Sequence, residues 1–276
     1  MQLKAQEIAR PGMTEYEVSA QLQAVAVAHG GQLSFPSILT VHGEILHNHA
    51  SKTVLKEGQM VLCDCGAENE MCYAGDLTRT FPVGKSFTSL QQDVYSIVLN
   101  AQLKAAEALK PGILYKDVHL LACEHLVLGL SDLGLMKGDP KQAVAEGAHT
   151  LFFQCGLGHM MGLDIHDMEN LGEEYVGYTA ELKKSKEFGL KSLRLGRALE
   201  PGFVVTVEPG LYFIPVLIDS WSAERKHAEF INYEKVKQFR DFGGIRIEDD
   251  YVITTTGSRL LGPPLIKTLD EVHANR

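Results

Sequence analysis

A proline-glycine pair that separates one helical stretch from the next occurs twice in matching surroundings. It stands in Arg10-Pro11-Gly12-Met13-Thr14-Glu15-Tyr16-Glu17-Val18 and in Lys110-Pro111-Gly112-Ile113-Leu114-Tyr115-Lys116-Asp117-Val118. Further on, Glu57-Gly58 opens an apolar run that ends in Asp64, and Pro201-Gly202 opens one that ends in Glu208, each acid six positions after its glycine. An echo on this scale points to two related α+β halves, each placing a carboxylate at equivalent depth.

The first helix is expected from Thr14, whose spacing to Glu17 suits a capping box, with Val18, Leu22 and Val25 on one face. The residues before it read as the tail of an element that begins upstream. Thr88 and Gln91 repeat the capping pattern ahead of a stripe of Val94, Ile97, Ala101, Ala105 and Leu109 that Pro111-Gly112 ends. A further helix is expected over 116–130, then a looser glycine-rich connection near 129–140. Met60 to Cys63 and Tyr73 to Phe81 read as two strands joined by a turn, carrying Asp64 and Asp76. The stretches 196–210, Val216 to Ser220 and 244–256 are strand-rich, whereas the polar, lysine-bearing 167–196 reads as surface loop or short helix. No long linker interrupts the chain, so residues 1–276 are read as one domain with a duplicated interior.

Charge and thiols narrow the function classes. The 26 basic and 35 acidic residues give a net charge of −9, which argues against a broad nucleic-acid footprint. Five cysteines are an odd number in a chain with 45% hydrophobic residues to fill a core, so reduced thiols and a cytoplasmic setting are expected. No apolar run approaches the roughly 20 residues of a membrane span, and no secretion signal opens the chain, so a soluble protein without a membrane partner is expected.

Five residues stand in settings unlike surface charges. Asp64 closes Met60-Val61-Leu62-Cys63, Asp76 precedes Leu77-Thr78-Arg79-Thr80-Phe81, His159 ends Gly156-Leu157-Gly158, Glu208 ends Phe203-Val204-Val205-Thr206-Val207, and Glu248 ends Gly244-Ile245-Arg246-Ile247. Carboxylates at the ends of apolar runs must be solvated, paired or metal-bound, because an unpaired buried charge is costly. Four acids and one imidazole cannot neutralise one another, whereas two divalent cations satisfy all of them. The oxygen-rich donor set favours manganese, cobalt, zinc or iron(II) over a thiolate-selective metal and does not by itself name which of the four is native.

The stretches Asp64 to Phe81 (DCGAENEMCYAGDLTRTF), Gly156 to Asp167 (GLGHMMGLDIHD), Thr206 to Gly210 (TVEPG) and Gly244 to Asp249 (GIRIED) resemble the pita-bread metallopeptidases, and most closely their proline-specific branch of Xaa-Pro aminopeptidase and prolidase. The resemblance runs over nearly the whole chain. It implies an α+β pita-bread (creatinase/aminopeptidase) fold, with pseudo-twofold halves and a curved antiparallel sheet covered by helices. It also implies a dinuclear centre in which Asp64 chelates one ion, Asp76 and Glu248 bridge the two, and His159 and Glu208 hold the other. His47 and His166 would flank the substrate, and Arg246, two positions before Glu248 on the same strand face, would orient a carboxylate. Metal lowers the pKa of a bridging water from about 15.7 toward about 7. Glu208 is then read as the acceptor of its proton, with His166 or His47 steadying the oxyanion or the leaving nitrogen. The implied reaction is cleavage between an N-terminal residue and proline in small peptides, and the assembly the resemblance suggests is a homodimer. A broader aminopeptidase or non-peptide hydrolase on the same fold, and a binding module without turnover, are the alternatives.

Three features depart from that pattern. Asp64 and Asp76 are twelve positions apart where relatives mostly have eleven, which places one added residue in the turn near Asn69 to Cys72. Cys155 stands where the proline-specific relatives have a histidine, and is read as an inert substitution. The N-terminal domain usual in those relatives is absent from these residues. Phe152, Phe153, Tyr212 and Phe213 are read either as walls of a proline-sized pocket or as core. Cys63 and Cys65 are not read as a zinc pair, nor Gly156 and Gly158 as a dinucleotide loop, since no GxGxxG opens a helix there.

Overall fold

Thr14 and Thr88 each close a capping box, their hydroxyls accepting from the backbone amides of Glu17 and Gln91 while those side chains accept from the threonine amides. They start α2 and α3 of the computed structural model, which describes residues 1–276. The first half comprises α1 (Gln2–Ile8), α2 (Glu15–Ala28), β1 (Gln32–Leu33), β2 (Ile38–Thr40), β3 (Met60–Asp64), β4 (Ala67–Glu68), β5 (Thr78–Pro82) and α3 (Ser89–Ala108). The second comprises α4 (Tyr115–Asp132), α5 (Pro140–Ala145), α6 (Glu173–Val176), β6 (Val204–Val207), β7 (Gly210–Tyr212), α7 (Pro215–Glu224), α8 (Tyr233–Val236), β8 (Gly244–Arg246), β9 (Asp249–Ile253) and β10 (Ser258–Leu260), with α9 (Leu269–Ala274) closing the chain.

The echo in the sequence is an echo in hydrogen bonding. The amides of Gly12 and Gly112 donate to the carbonyls of Leu55 and Leu199, and the amides of Leu55 and Leu199 return bonds to Met13 and Ile113. Both glycines take left-handed φ, +95° and +84°, as do Gly58 and Gly202 at +83° and +96°, a region that costs glycine little. Each half then builds a three-stranded antiparallel sheet, in the order β2-β3-β5 and β10-β9-β6. Val83 and Ile253 donate to Gln59 and Phe203 at the same place in each sheet. By that register Asp64 corresponds to Glu208, and Thr78 to Glu248.

Both sheets are covered by helices, α3 packing along α4 across the divide. The apolar stripe of α3 is Val94, Val98, Ala101 and Ala105, with Tyr95 and Gln102 also buried, while Ile97 is only half covered. In α2, Val18 and Leu22 are buried, and Ala26 rather than Val25 completes the face. Gly129 lies inside α4, not in a loose connection, because a Cβ there would come within 2.5 Å of Ile97 Cγ1.

Two strand expectations are corrected. Val216 to Ser220 is helical: Pro215 sits in the first turn of α7, and Ile218 and Trp221 bury one face. A short apolar run has no periodicity of its own to separate helix from strand, and here the proline start decides. Residues Tyr73 to Leu77 are not strand either, since β5 begins at Thr78 and Asp76 lies in the extended approach to it. Of 196–210, only Val204–Val207 and Gly210 are strand, whereas 167–196 is loop with short helical turns as expected. The twelve-residue spacing is absorbed by a turn at Asn69 to Tyr73, where the Asn69 side chain accepts from the Met71 and Tyr73 amides and Cys72 takes φ +64°.

Candidate metal centre

The five residues singled out converge from both halves. Asp64 ends β3, Glu208 follows β6, and Glu248 immediately precedes β9. His159 lies on a segment running antiparallel beside β6, tied by Thr206 N to His159 O at 3.0 Å and Glu208 N to Leu157 O at 2.8 Å. Gly158 permits that approach: a Cβ there would lie 2.3 Å from Thr206 O and 2.4 Å from Tyr115 Oη. Asp64, Asp76, His159 and Glu248 are each less than a tenth exposed, while Glu208 reaches into a cleft of about 590 Å³.

His159 decides the chemistry. Its Nδ1 is 3.0 Å from the Met160 carbonyl, which only accepts, so Nδ1 carries a proton and, in the neutral ring, Nε2 presents a lone pair. That lone pair faces Asp76 Oδ2 at 3.4 Å and Glu208 Oε1 at 3.6 Å. Three acceptors directed at one point repel unless a proton or a cation stands between them. Their separations match the edge of about 3.4 Å that bonds of about 2.1 Å span around a tetrahedral ion. Asp64 Oδ1 and Asp76 Oδ1 are buried without a hydrogen-bond partner. Burial, followed by neighbouring carboxylates, pushes Asp76 and Glu248 well above the usual carboxylate range, and burial raises Glu208. Orphaned oxygens, a correctly tautomerised imidazole and acids that resist charging without a counter-ion fit divalent cations.

Arg246 is a buried cation that lines the cleft. It donates to Asp64 Oδ2 at 2.6 Å, to Tyr212 Oη at 3.1 Å and to Thr78 Oγ1 at 3.1 Å. Thr78 Oγ1 in turn donates to Glu248 Oε2 at 2.6 Å. His166 stacks edge-on against His159, ring centroids 4.5 Å apart, and burial holds it down to about 3, so it is neutral at pH 7. His47 lies exposed in the same cleft. Cys155 lines it too, with burial pushing its thiol up to about 12, so it is not a thiolate. Cys63 and Cys65 flank Asp64 on the opposite side of the strand, thiols 3.8 Å apart. Of the four aromatic residues, Tyr212 reaches the cleft, whereas Phe152, Phe153 and Phe213 are core, Phe213 stacking on Phe239. The apolar cleft wall comes instead from Phe35, Leu46, Ile165 and Phe188.

Two further buried charged residues, not singled out in the sequence, hold the ligands from behind. Asp250, 6% exposed, accepts from the Asp76 amide at 3.2 Å, and burial pushes it up to about 7. Arg79, 1% exposed, donates to the Glu248 carbonyl and to Asp249 Oδ1, both at 2.6 Å. Their signal was present as charged residues next to the apolar ends of strands β5 and β9, but their partners lie about 170 positions away.

A family model described as metallopeptidase family M24 matches residues 1–255 of this chain. The chain belongs to metallopeptidase family M24. Within that family it is 36% identical to human Xaa-Pro dipeptidase over 271 residues, 95% of this chain and 53% of the relative. It is likewise 36% identical to Xaa-Pro aminopeptidase of Escherichia coli K12 over 276 residues, 98% of this chain and 54% of the relative. A solved variant of Escherichia coli aminopeptidase P superposes with a TM-score of 0.79 at 36% identity, covering 99% of this chain and 54% of that one. Pseudomonas aeruginosa aminopeptidase PepP gives 0.78 at 30% identity, with 99% and 55% covered. The fold is therefore the pita-bread fold of this M24 family, and the chain spans about half the length of the curated relatives it matches.

Proposed function

We propose that residues 1–276 form one catalytic unit that hydrolyses the bond between an N-terminal residue and proline in short peptides, with two divalent metal ions, manganese preferred. The observation carrying this reading is the convergence of His159 Nε2 with Asp76 and Glu208 at 3.4 and 3.6 Å, beside the buried, unpartnered Oδ1 atoms of Asp64 and Asp76. Asp64, Asp76, His159, Glu208 and Glu248 would hold the ions. Bound there, the ions would supply Lewis acidity and lower the pKa of water from about 15.7 toward about 7.

The protein's own groups do the rest. Met160 fixes the His159 tautomer, and Arg246 fixes the Asp64 rotamer, leaving Oδ1 free. Thr78 orients Glu248 through its hydroxyl. Glu208, steadied by Thr206 Oγ1 at 3.3 Å, is the proton acceptor at the cleft surface. Neutral His166 and His47 face the cleft, where an N–H donates to the developing oxyanion or the leaving nitrogen. Phe35, Leu46, Ile165 and Phe188 give proline an apolar wall.

The test is hydrolysis of Xaa-Pro dipeptides and tripeptides beside Met-Ala peptides, using metal-stripped protein with manganese, cobalt or zinc restored. Turnover of Xaa-Pro peptides alone, dependent on metal and lost in Glu208→Ala, is expected. Equal turnover of Met-Ala peptides would replace the proline specificity with a broader one, and no turnover with two metals bound would overturn the reading.

A further inference from the structure

A second cluster of metal-ligating side chains lies outside the cleft and has no part in the chemistry above. His119 and Cys123 are four residues apart on α4, so both project from one face. His149 meets them from the single turn of 3-10 helix at Ala148–Leu151. One donor atom from each lies within 4.8 Å of the other two. Cys123 Sγ and His119 Nε2 are 3.5 Å apart. Zinc–sulfur and zinc–nitrogen bonds of about 2.3 and about 2.05 Å at the tetrahedral angle span about 3.5 Å between the two ligands.

The surroundings are dry. His119 is 1% exposed, Cys123 is fully buried and His149 is 3% exposed. His119 Nδ1 and His149 Nδ1 are buried without any hydrogen-bond partner. The unpartnered His149 nitrogen is costly unless an ion or a water satisfies it, and His119 turns its other nitrogen, Nε2, to Cys123. Phe153 closes one side, its ring 5.6 Å from that of His119.

We propose that His119, Cys123 and His149 form a zinc site separate from the cleft. One thiolate and two imidazoles, with no carboxylate, select a thiophilic ion, whereas the oxygen-rich cleft suits manganese. Binding displaces the Cys123 thiol proton to solvent, and a water takes the fourth tetrahedral position that the three side chains leave. The site pins α4 to the segment that runs through Phe152 and Phe153 to Cys155 and His159. Its role is thus to hold the start of that segment against α4.

The test measures zinc per chain by elemental analysis, with X-ray absorption at the zinc edge, on the unaltered protein and on Asp64→Ala/Glu248→Ala, which dismantles the cleft centre. The expected result is one zinc that survives loss of the cleft ligands and shows one sulfur neighbour at about 2.3 Å. Zinc retention should fall at least tenfold in Cys123→Ala and persist in Cys155→Ala. A zinc spectrum without sulfur in the unaltered protein, or zinc–sulfur ligation that survives in Cys123→Ala, would overturn the proposal. Copper bound in place of zinc would overturn the choice of ion. The absorption measurement on the unaltered chain stands even if Cys123→Ala fails to fold.

Discussion

Thr78 Oγ1 donates to Glu248 Oε2 at 2.6 Å, and the two residues occupy corresponding positions in the two halves of the fold. Their backbones meet as well, the Glu248 amide donating to the Thr78 carbonyl at 3.1 Å. One half contributes the hydroxyl and the other the carboxylate, so the duplicated frame is used asymmetrically where its halves join. Arg246 adds a third member by donating to the same hydroxyl.

Thr78→Val keeps the shape of this joint and removes the hydroxyl. A buried carboxylate oxygen and a guanidinium N–H lose their partner, which costs about 1–3 kcal/mol. Urea unfolding should show that loss, and metal titration should show affinity weakened about 10–100-fold, as for other groups that orient a ligand. An unchanged metal affinity would mean that Glu248 needs no such support.

Arg246→Ala leaves Asp64 Oδ2 buried without its cation. Removing one member of a buried pair costs about 3–5 kcal/mol. Arg246→Lys should recover only part of this, because lysine cannot reach Asp64, Tyr212 and Thr78 together as the planar guanidinium does. Thermal unfolding of both variants would settle the order.

Gly158→Ala places a methyl against the Thr206 carbonyl and the Tyr115 hydroxyl, at 2.3 and 2.4 Å. The His159 segment must move away from β6, at a cost of about 1–3 kcal/mol. Activity should fall more than stability, since the displaced residue is His159. Comparing kcat with the unfolding midpoint separates the two effects.

Chelation should lower the melting temperature, because the cleft acids lose the charges that compensate them. Restoring a divalent ion at 100 times its Kd should return about 2.7 kcal/mol. Differential scanning calorimetry across a manganese series would show a Tm that rises with the logarithm of ion concentration, and a flat series would argue against tight binding to the folded state.

The α2 cap carries a defined pH dependence. Glu17 accepts from the Thr14 amide and hydroxyl, and these bonds hold its carboxyl below the usual range. A depressed folded pKa contributes stability that is present above the unfolded pKa, near 4.5, and is lost as pH falls through the lower folded value. Glu17→Gln should therefore flatten the acid limb of stability below about pH 4.5 by lowering stability at neutral pH, while the two proteins converge at acid pH. Urea midpoints from pH 3 to 7 would show it.

What the sequence carried by itself was local or repeated. The capping boxes at Thr14 and Thr88 depend on residues three apart, and the Pro-Gly echoes announced two halves that the paired bonds of Gly12 and Gly112 display. The five candidate ligands stood out because acids and an imidazole ended apolar runs, a placement that is costly without a partner. The tertiary structure decided what those residues face. It turned Val216 to Ser220 into helix, placed Asp76 ahead of its strand rather than in it, and sent Phe152, Phe153 and Phe213 to the core. It also brought Thr78, Arg79, Asp250 and Tyr212 around the cleft acids, and His149 to His119 and Cys123. The reason is physical: helix caps and apolar periodicity are satisfied within a few residues. The hydrogen bonds and charge pairs of a buried polar cluster join groups far apart in the chain, and only the packed fold chooses among their partners.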